Sequence, residues 1–154
     1  MEPTTLELKV PSEVGNERYA IQFAEDVAQE MGFPKDKIEN LKIAIGEACL
    51  NAIEHGNKQN RNVKVEIDFL IYDSRLEISV QDRGETFKPA SIPTPDLAAK
   101  IEGKDPSVRG WGVFLIEHMV DKMEYVDGKP GTQLRMTVRL PDRGPAERPK
   151  EGRK

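Results

Sequence analysis

The sequence predicts an α+β sandwich, two layers in which a mixed, mainly antiparallel sheet carries helices on one face. Three observations predict it. Segments that alternate apolar and polar residues come as one, then two, then two; a pair of long helical segments follows the first of them directly; and a third helix stands alone before the last two. That order does not suit the regular strand–helix alternation of a parallel fold.

The first strand is "TLELKV", which alternates before Pro11, and Ser12 is placed to cap a helix. From Glu13 to Met31 the residues Val14, Ala20, Ile21, Ala24, Val27, Ala28 and Met31 recur at helical spacing, and Gly32 ends the run. Pro34 restarts the chain. Ile38, Leu41, Ile45, Ala48 and Ala52 then trace one stripe of a second helix that stops near Gly56. "VKVEIDFLIY" and "RLEISVQD" alternate on either side of a "DS" turn, a hairpin of antiparallel strands. Gly84 to Arg109, rich in Pro, Gly and charge with one short helix expected at "DLAAKIEG", is long enough to be a functional lid. "GVFLIEHMVDKMEYV" returns to helical spacing and turns into a strand, and "TQLRMTVRL" alternates after the "DGKPG" turn. Residues 1–140 are thus expected to form a single domain, and residues 141–154, with nothing to bury, a disordered tail.

Composition excludes several classes. With 154 residues, 37% apolar and 32% charged, and a net charge of -4, the chain fits one soluble domain and lacks the basic surplus of a direct nucleic-acid binder. The single cysteine, Cys49, has no intrachain disulfide partner, no apolar run approaches a bilayer span, and the first residues do not resemble a signal peptide, so a cytoplasmic protein with no membrane contact is expected.

Four segments carry candidate chemistry. In "GEACLNAIEHGN", Glu47 and Asn51 lie four residues apart on one helix face, away from the Ile38/Leu41/Ile45/Ala48 stripe. For such a pair alone a solvated face is the commoner explanation. "DRGETFKP" places Asp82 at a strand end, followed by Gly84, which permits a costly backbone conformation. "RGWGVFLIEH" has two glycines spaced to open a helix, where exposed N–H groups and the dipole favour a phosphate. "GTQLRMTV" opens the last strand with Gly131 and Thr132, which a hairpin turn explains equally well.

Together, "EACLNAIEHGN", "DRG", "GWG" and "GT" resemble, in order and spacing, the N, G1, G2 and G3 boxes of the GHKL ATPase superfamily and its Bergerat ATP-binding fold, over Leu6 to about Leu140. Small size, the absence of a phospho-acceptor helix pair, "NAIEHGN" and "GWGVFLIEHMVD" are most similar to the RsbW/SpoIIAB group of anti-sigma factor serine/threonine kinases. The resemblance implies ATP and Mg²⁺ as cofactors. Asn51 would hold Mg²⁺ on the ATP phosphates, and Glu47 would be the catalytic base for a substrate serine. Asp82 would accept from the adenine amino group, Gly84 would let the backbone approach the base, and Thr132 would support Asp82 through water. Gly110 and Gly112 would free the loop around the phosphates, with backbone donors at Trp111, Gly112, Val113 and Phe114 and with Arg109 as a γ-phosphate contact.

Solvated lid charge explains Arg109 and Lys104 equally well, and Trp111 caps the site or packs on the core. His55 is expected to cap or pair at its helix end, His118 to lie on a helix surface, and Cys49 to be a buried small hydrophobe. Two departures from the family pattern, Thr86 in place of a second G1 glycine and Val108 in place of a glycine before Gly110, should stiffen the loops.

The function implied is an ATP-dependent protein serine/threonine kinase that phosphorylates a STAS-type anti-anti-sigma protein and sequesters a sigma factor, with a homodimer as the family expectation. An RsbT-like switch kinase acting on a STAS scaffold, and a non-catalytic binding module shaped by ATP, remain open beside it. Retention of Glu47 disfavours the module.

Overall fold

The computed structural model describes residues 2–84, 108–128 and 130–141. The expected lid, with its helix at "DLAAKIEG", Thr86 and Lys104, lies outside them, as does the tail from residue 142. Five strands and three helices are described: β1 (Thr4–Pro11), α1 (Glu17–Met31), α2 (Lys35–Asn51), β2 (Lys64–Ile71), β3 (Arg75–Gln81), α3 (Val108–Met119), β4 (Lys122–Asp127) and β5 (Thr132–Arg139). The sheet order is β1-β2-β3-β5-β4. Every described pairing is antiparallel, which is the limiting case of the mixed, mainly antiparallel sheet expected.

Strict alternation along the strands divides the sheet into two faces. Val65, Ile67 and Phe69 of β2, Leu76, Ile78 and Val80 of β3, and Leu134, Met136 and Val138 of β5 are buried against the helices. Their neighbours Asp68, Glu77, Ser79, Arg135 and Thr137 line the opposite, open face. On the helical side, α2 lies between α1 and α3 and contributes Leu41, Ile45, Ala48 and Cys49 to the core. Phe23 of α1 meets Phe69 edge-on, with ring centroids 4.9 Å apart.

Helix α1 starts at Glu17, later than the periodicity suggested. Ser12 does not cap it: the Ser12 hydroxyl donates to the Val63 carbonyl, and Gly15, at φ 108, breaks the chain before the helix. At its other end Gly32 adopts φ 88, and the Phe33 N–H reaches back to the Ala28 carbonyl, closing the helix as its glycine predicted. Helix α2 does not stop at Asn51. It widens into a single π-helical turn, Ala52–Gly56, with the Asn57 N–H on the Ala52 carbonyl at 2.8 Å. Such turns are rare and concentrate at functional sites.

Candidate functional site

Three ends of structure converge beside this π turn. Because β3 and β5 are neighbours, Asp82, just past β3, pairs with Thr132 at the head of β5; the Asp82 N–H donates to the Thr132 carbonyl at 3.0 Å. The Asp82 side chain is buried, and its Oδ1 accepts from Gly84 N–H at 3.0 Å and Thr132 N–H at 3.1 Å. Two backbone donors on one oxygen fix the plane of the carboxylate. Thr132 therefore supports Asp82 directly through its backbone.

The glycines of the site are needed for close approach. A Cβ on Gly84 would fall on the Gly56 carbonyl, and one on Gly56 would fall on the Asp82 carboxyl group. Gly84 is not among the positive-φ glycines, so its role is proximity and not the unusual backbone conformation expected. Gly131, at φ 87, does need that freedom, and a Cβ there would strike the Asp82 carbonyl.

On the next side, α3 crosses α2 at Gly112. A Cβ on Gly112 would lie 3.0 Å from Glu47 Oε2, 3.3 Å from Asn51 Nδ2 and 3.5 Å from Asn51 Oδ1. The glycine thus leaves the carboxylate and the amide room to face α3. Asn51 Nδ2 is buried with no hydrogen-bond partner among the described residues, a costly state for a donor. Burial, and then the charge of Glu54, raise the Glu47 carboxyl above its ordinary value.

Helix α3 corrects one expectation. It begins at Val108, so Gly110 and Gly112 are inside it instead of opening it. Nothing in Val108 or Arg109 breaks a helix, and an interior glycine costs only about 1 kcal/mol. Within the described helix the N–H groups of Val113 and Phe114 are consumed in the helical ladder. The side chains of Arg109 and Trp111 lie outside the described residues.

Between α2 and the sheet a narrow cleft has apolar walls at Ala48, Ala52, Val80 and Leu134, with Asn51, Asp82 and Thr132 at its polar side. Its volume, about 20 Å³, suits a water molecule, so a larger ring needs a wall to move. Tyr125 of β4, half-buried, is one of those walls. Sequence reasoning missed it, because it stands in an ordinary alternating strand. It also missed Asn57, the last letter of "NAIEHGN", which is 6% exposed and hydrogen-bonded at both ends of its amide.

The remaining singled-out residues are placed simply. Cys49 is buried, and burial pushes its thiol up to about 12, which leaves it unreactive. His118 sits on the α3 surface with Nδ1 2.9 Å from the Phe114 carbonyl, and His55 is exposed on the π turn. Among the described residues no group of three or more His, Cys, Asp or Glu side chains could hold a metal unaided. No described helix is long and apolar enough to cross a membrane.

Comparison with known proteins agrees with this geometry. Residues 10–138 match the histidine kinase-like ATPase domain family. The chain is 34% identical over 148 residues to the serine-protein kinase RsbW of Bacillus subtilis, covering 88% of this chain and 85% of that one. It is 34% identical over 137 residues to the RsbW of Oceanobacillus iheyensis, covering 86% and 84%. Among solved structures, the RsbU and RsbW domains of a Mycobacterium tuberculosis protein superpose with a TM-score of 0.63 at 21% identity, over 89% of this chain and 32% of that one. At that identity the likeness speaks for the fold. With residues 10–138 matched by the family and 34% identity to a relative over most of both chains, the chain belongs to the histidine kinase-like ATPase domain family.

Proposed function

We propose that the chain is an ATP-dependent serine-protein kinase of the RsbW kind, with ATP held between α2 and the sheet. The observation that carries the reading is the position of Gly112, against both Glu47 and Asn51. It supports a carboxylate and an amide beside α3, where on this reading the phosphates would lie. The base would lie in the apolar cleft with its amino group toward Asp82, a buried acceptor whose plane is already set.

The donor set fits Mg²⁺ brought in with ATP. Mg²⁺ favours hard oxygen ligands and retains substrate phosphates and waters, and the Asn51 amide, which faces α3 beside Gly112, has one such oxygen to offer in its Oδ1. When bound it would neutralise phosphate charge. The residues of the chain do the rest. Glu47 would take the proton from a substrate serine as its oxygen bonds to the γ-phosphorus and the bond to the β-phosphate oxygen breaks, releasing ADP. Partial burial, by raising the proton affinity of Glu47, suits that role. The N–H groups at the start of α3 would serve the phosphates, with Arg109 as a γ-phosphate contact.

The substrate would be a STAS-type anti-anti-sigma protein and the sequestered partner a sigma factor, acting on a homodimer in the cytoplasm. Radiolabelled ATP mixed with the chain and a STAS-type protein tests this. Serine labelling that is lost in Glu47→Ala while ATP still binds supports the kinase. Inhibition of sigma-dependent transcription by wild type separates it from a switch kinase. ATP and partner binding with no transfer would leave a binding module in its place.

A further inference from the structure

Asn57 does not line the cleft, yet it is among the few buried polar residues of the described chain. Its Oδ1 accepts the Arg83 N–H at 2.8 Å, its Nδ2 donates to Ser12 Oγ at 2.9 Å, and that hydroxyl donates to the Val63 carbonyl at 2.5 Å. Chemistry dictates this direction. Arg83 N–H can only donate, so it must face the amide oxygen. The amide nitrogen then needs an acceptor, and Ser12, wholly buried, can be one because its own hydrogen is committed to Val63.

Residue 83 is the link between Asp82 and Gly84. The tight contacts of Gly56 with Asp82 and of Gly84 with Gly56 set how near the loop comes to the end of α2. Steric contacts do not set its register, because a surface can slide. The Asn57–Arg83 hydrogen bond is directional and supplies that register. It is anchored in turn, through Ser12 just past β1, to the Val63 carbonyl, and it occurs just where the chain leaves the π turn for two residues at positive φ, Lys58 and Gln59.

The geometry points to Asn57 as a positioning residue for purine selection. By holding Arg83 N–H it aims the Asp82 carboxylate, so discrimination between the amino group of adenine and the carbonyl of guanine depends on a side chain outside the nucleotide's reach. This rests on the reading that Asp82 faces the base. A carboxylate attracts a donor and repels a carbonyl, and both effects fall off steeply with misalignment.

The test measures ATP and GTP dissociation constants, KM and kcat for ATP, and melting temperature in Asn57→Ala, Asn57→Asp and Ser12→Ala. Asn57→Ala should weaken ATP about tenfold while GTP changes little, so the ATP preference falls about tenfold. Its KM should rise while kcat at saturating ATP stays within about twofold. Asn57→Asp keeps an acceptor for Arg83 N–H while burying a charge, so it should melt earlier than wild type yet retain the ATP preference. Ser12→Ala frees one end of the clamp and should lose about threefold; should Asn57→Ala fail to fold, this variant and Asn57→Asp carry the test. A preference unchanged in Ser12→Ala or Asn57→Ala, or lost as fully in Asn57→Asp as in Asn57→Ala, would make the clamp merely structural. If the underlying reading is the one at fault, Asp82→Asn leaves ATP affinity unchanged, and the clamp falls with it.

Discussion

Replacing Gly112 by Ala should separate stability from activity. Its Cβ would stand 3.0 Å from Glu47 Oε2, and an unstrained contact needs about 3.5 Å, so the carboxylate has to withdraw by about 0.5 Å. The glutamate end is flexible, and leaving its preferred rotamer costs about 0.5–1.5 kcal/mol. Against this, Gly to Ala inside α3 stabilises the helix by about 1 kcal/mol, and the position does not need positive φ. The two nearly cancel, which places the melting temperature within about 4 °C of wild type. Catalysis has no such compensation. A misplacement of about 1 Å can cost 10²-fold, so half of that should cost about tenfold in phosphoryl transfer. Scanning fluorimetry and transfer of labelled phosphate to a STAS-type protein, run on the same preparation, would check both. Full activity in the variant would refute the placement of Glu47 against α3, and a fall in melting temperature of 10 °C would refute the cancellation.

Gly84→Ala meets backbone and not a flexible side chain, so the 82–84 loop must leave Gly56; ATP binding measured by calorimetry should be lost even in variant that remains folded. The raised Glu47 carboxyl favours the folded state below its ordinary value of 4.5, and that contribution is lost as pH rises through the folded value. Glu47→Gln should therefore raise the melting temperature at pH 7 while removing transfer, and the wild-type rate should climb with pH through a midpoint above 4.5, moved downward by Glu54→Gln. Asp121 behaves oppositely. Burial pushes it up, but the Arg139 N–H and the Lys37 ammonium outweigh that and hold it below 3.8, so its stabilisation is present above that value and lost as pH falls through the folded one. The pair is about a third exposed, so Asp121→Asn should destabilise by no more than about 1 kcal/mol at pH 7 in urea melts, with the difference vanishing in acid.

The strands and the helical layer were legible because they follow from alternation: the buried apolar residues of β2, β3 and β5 stand two apart, and a shift of one residue would turn them to the open face. The limits of the helices were less so. Ser12 has the chemistry of a cap, but tertiary contact with Val63 claims its hydroxyl, a competition no local pattern reveals. The glycine pair of α3 looked like a helix start because glycine is usually read as conformational freedom, whereas Gly112 is small so that α2 can come near. Glu47, Asn51, Asp82 and Gly84 could be picked out from motif spacing. Asn57 and Tyr125 could not, since their contacts reach segments far away in the chain.

Those distances have a consequence for how the protein is made. The bonds that organise the surroundings of Asp82 span 45 residues from Ser12 to Asn57, 51 from Ser12 to Val63 and 50 from Asp82 to Thr132. Closing such loops is entropically unfavourable until the sheet between them exists, so the site is completed late in folding. A chain leaving the ribosome lacks the Thr132 partner of Asp82 until β5 has emerged, long after β3. ATP, on the proposed reading, can then select only finished molecules, and at a hundredfold excess over its dissociation constant it would add about 2.7 kcal/mol to them and nothing to the unfinished ones.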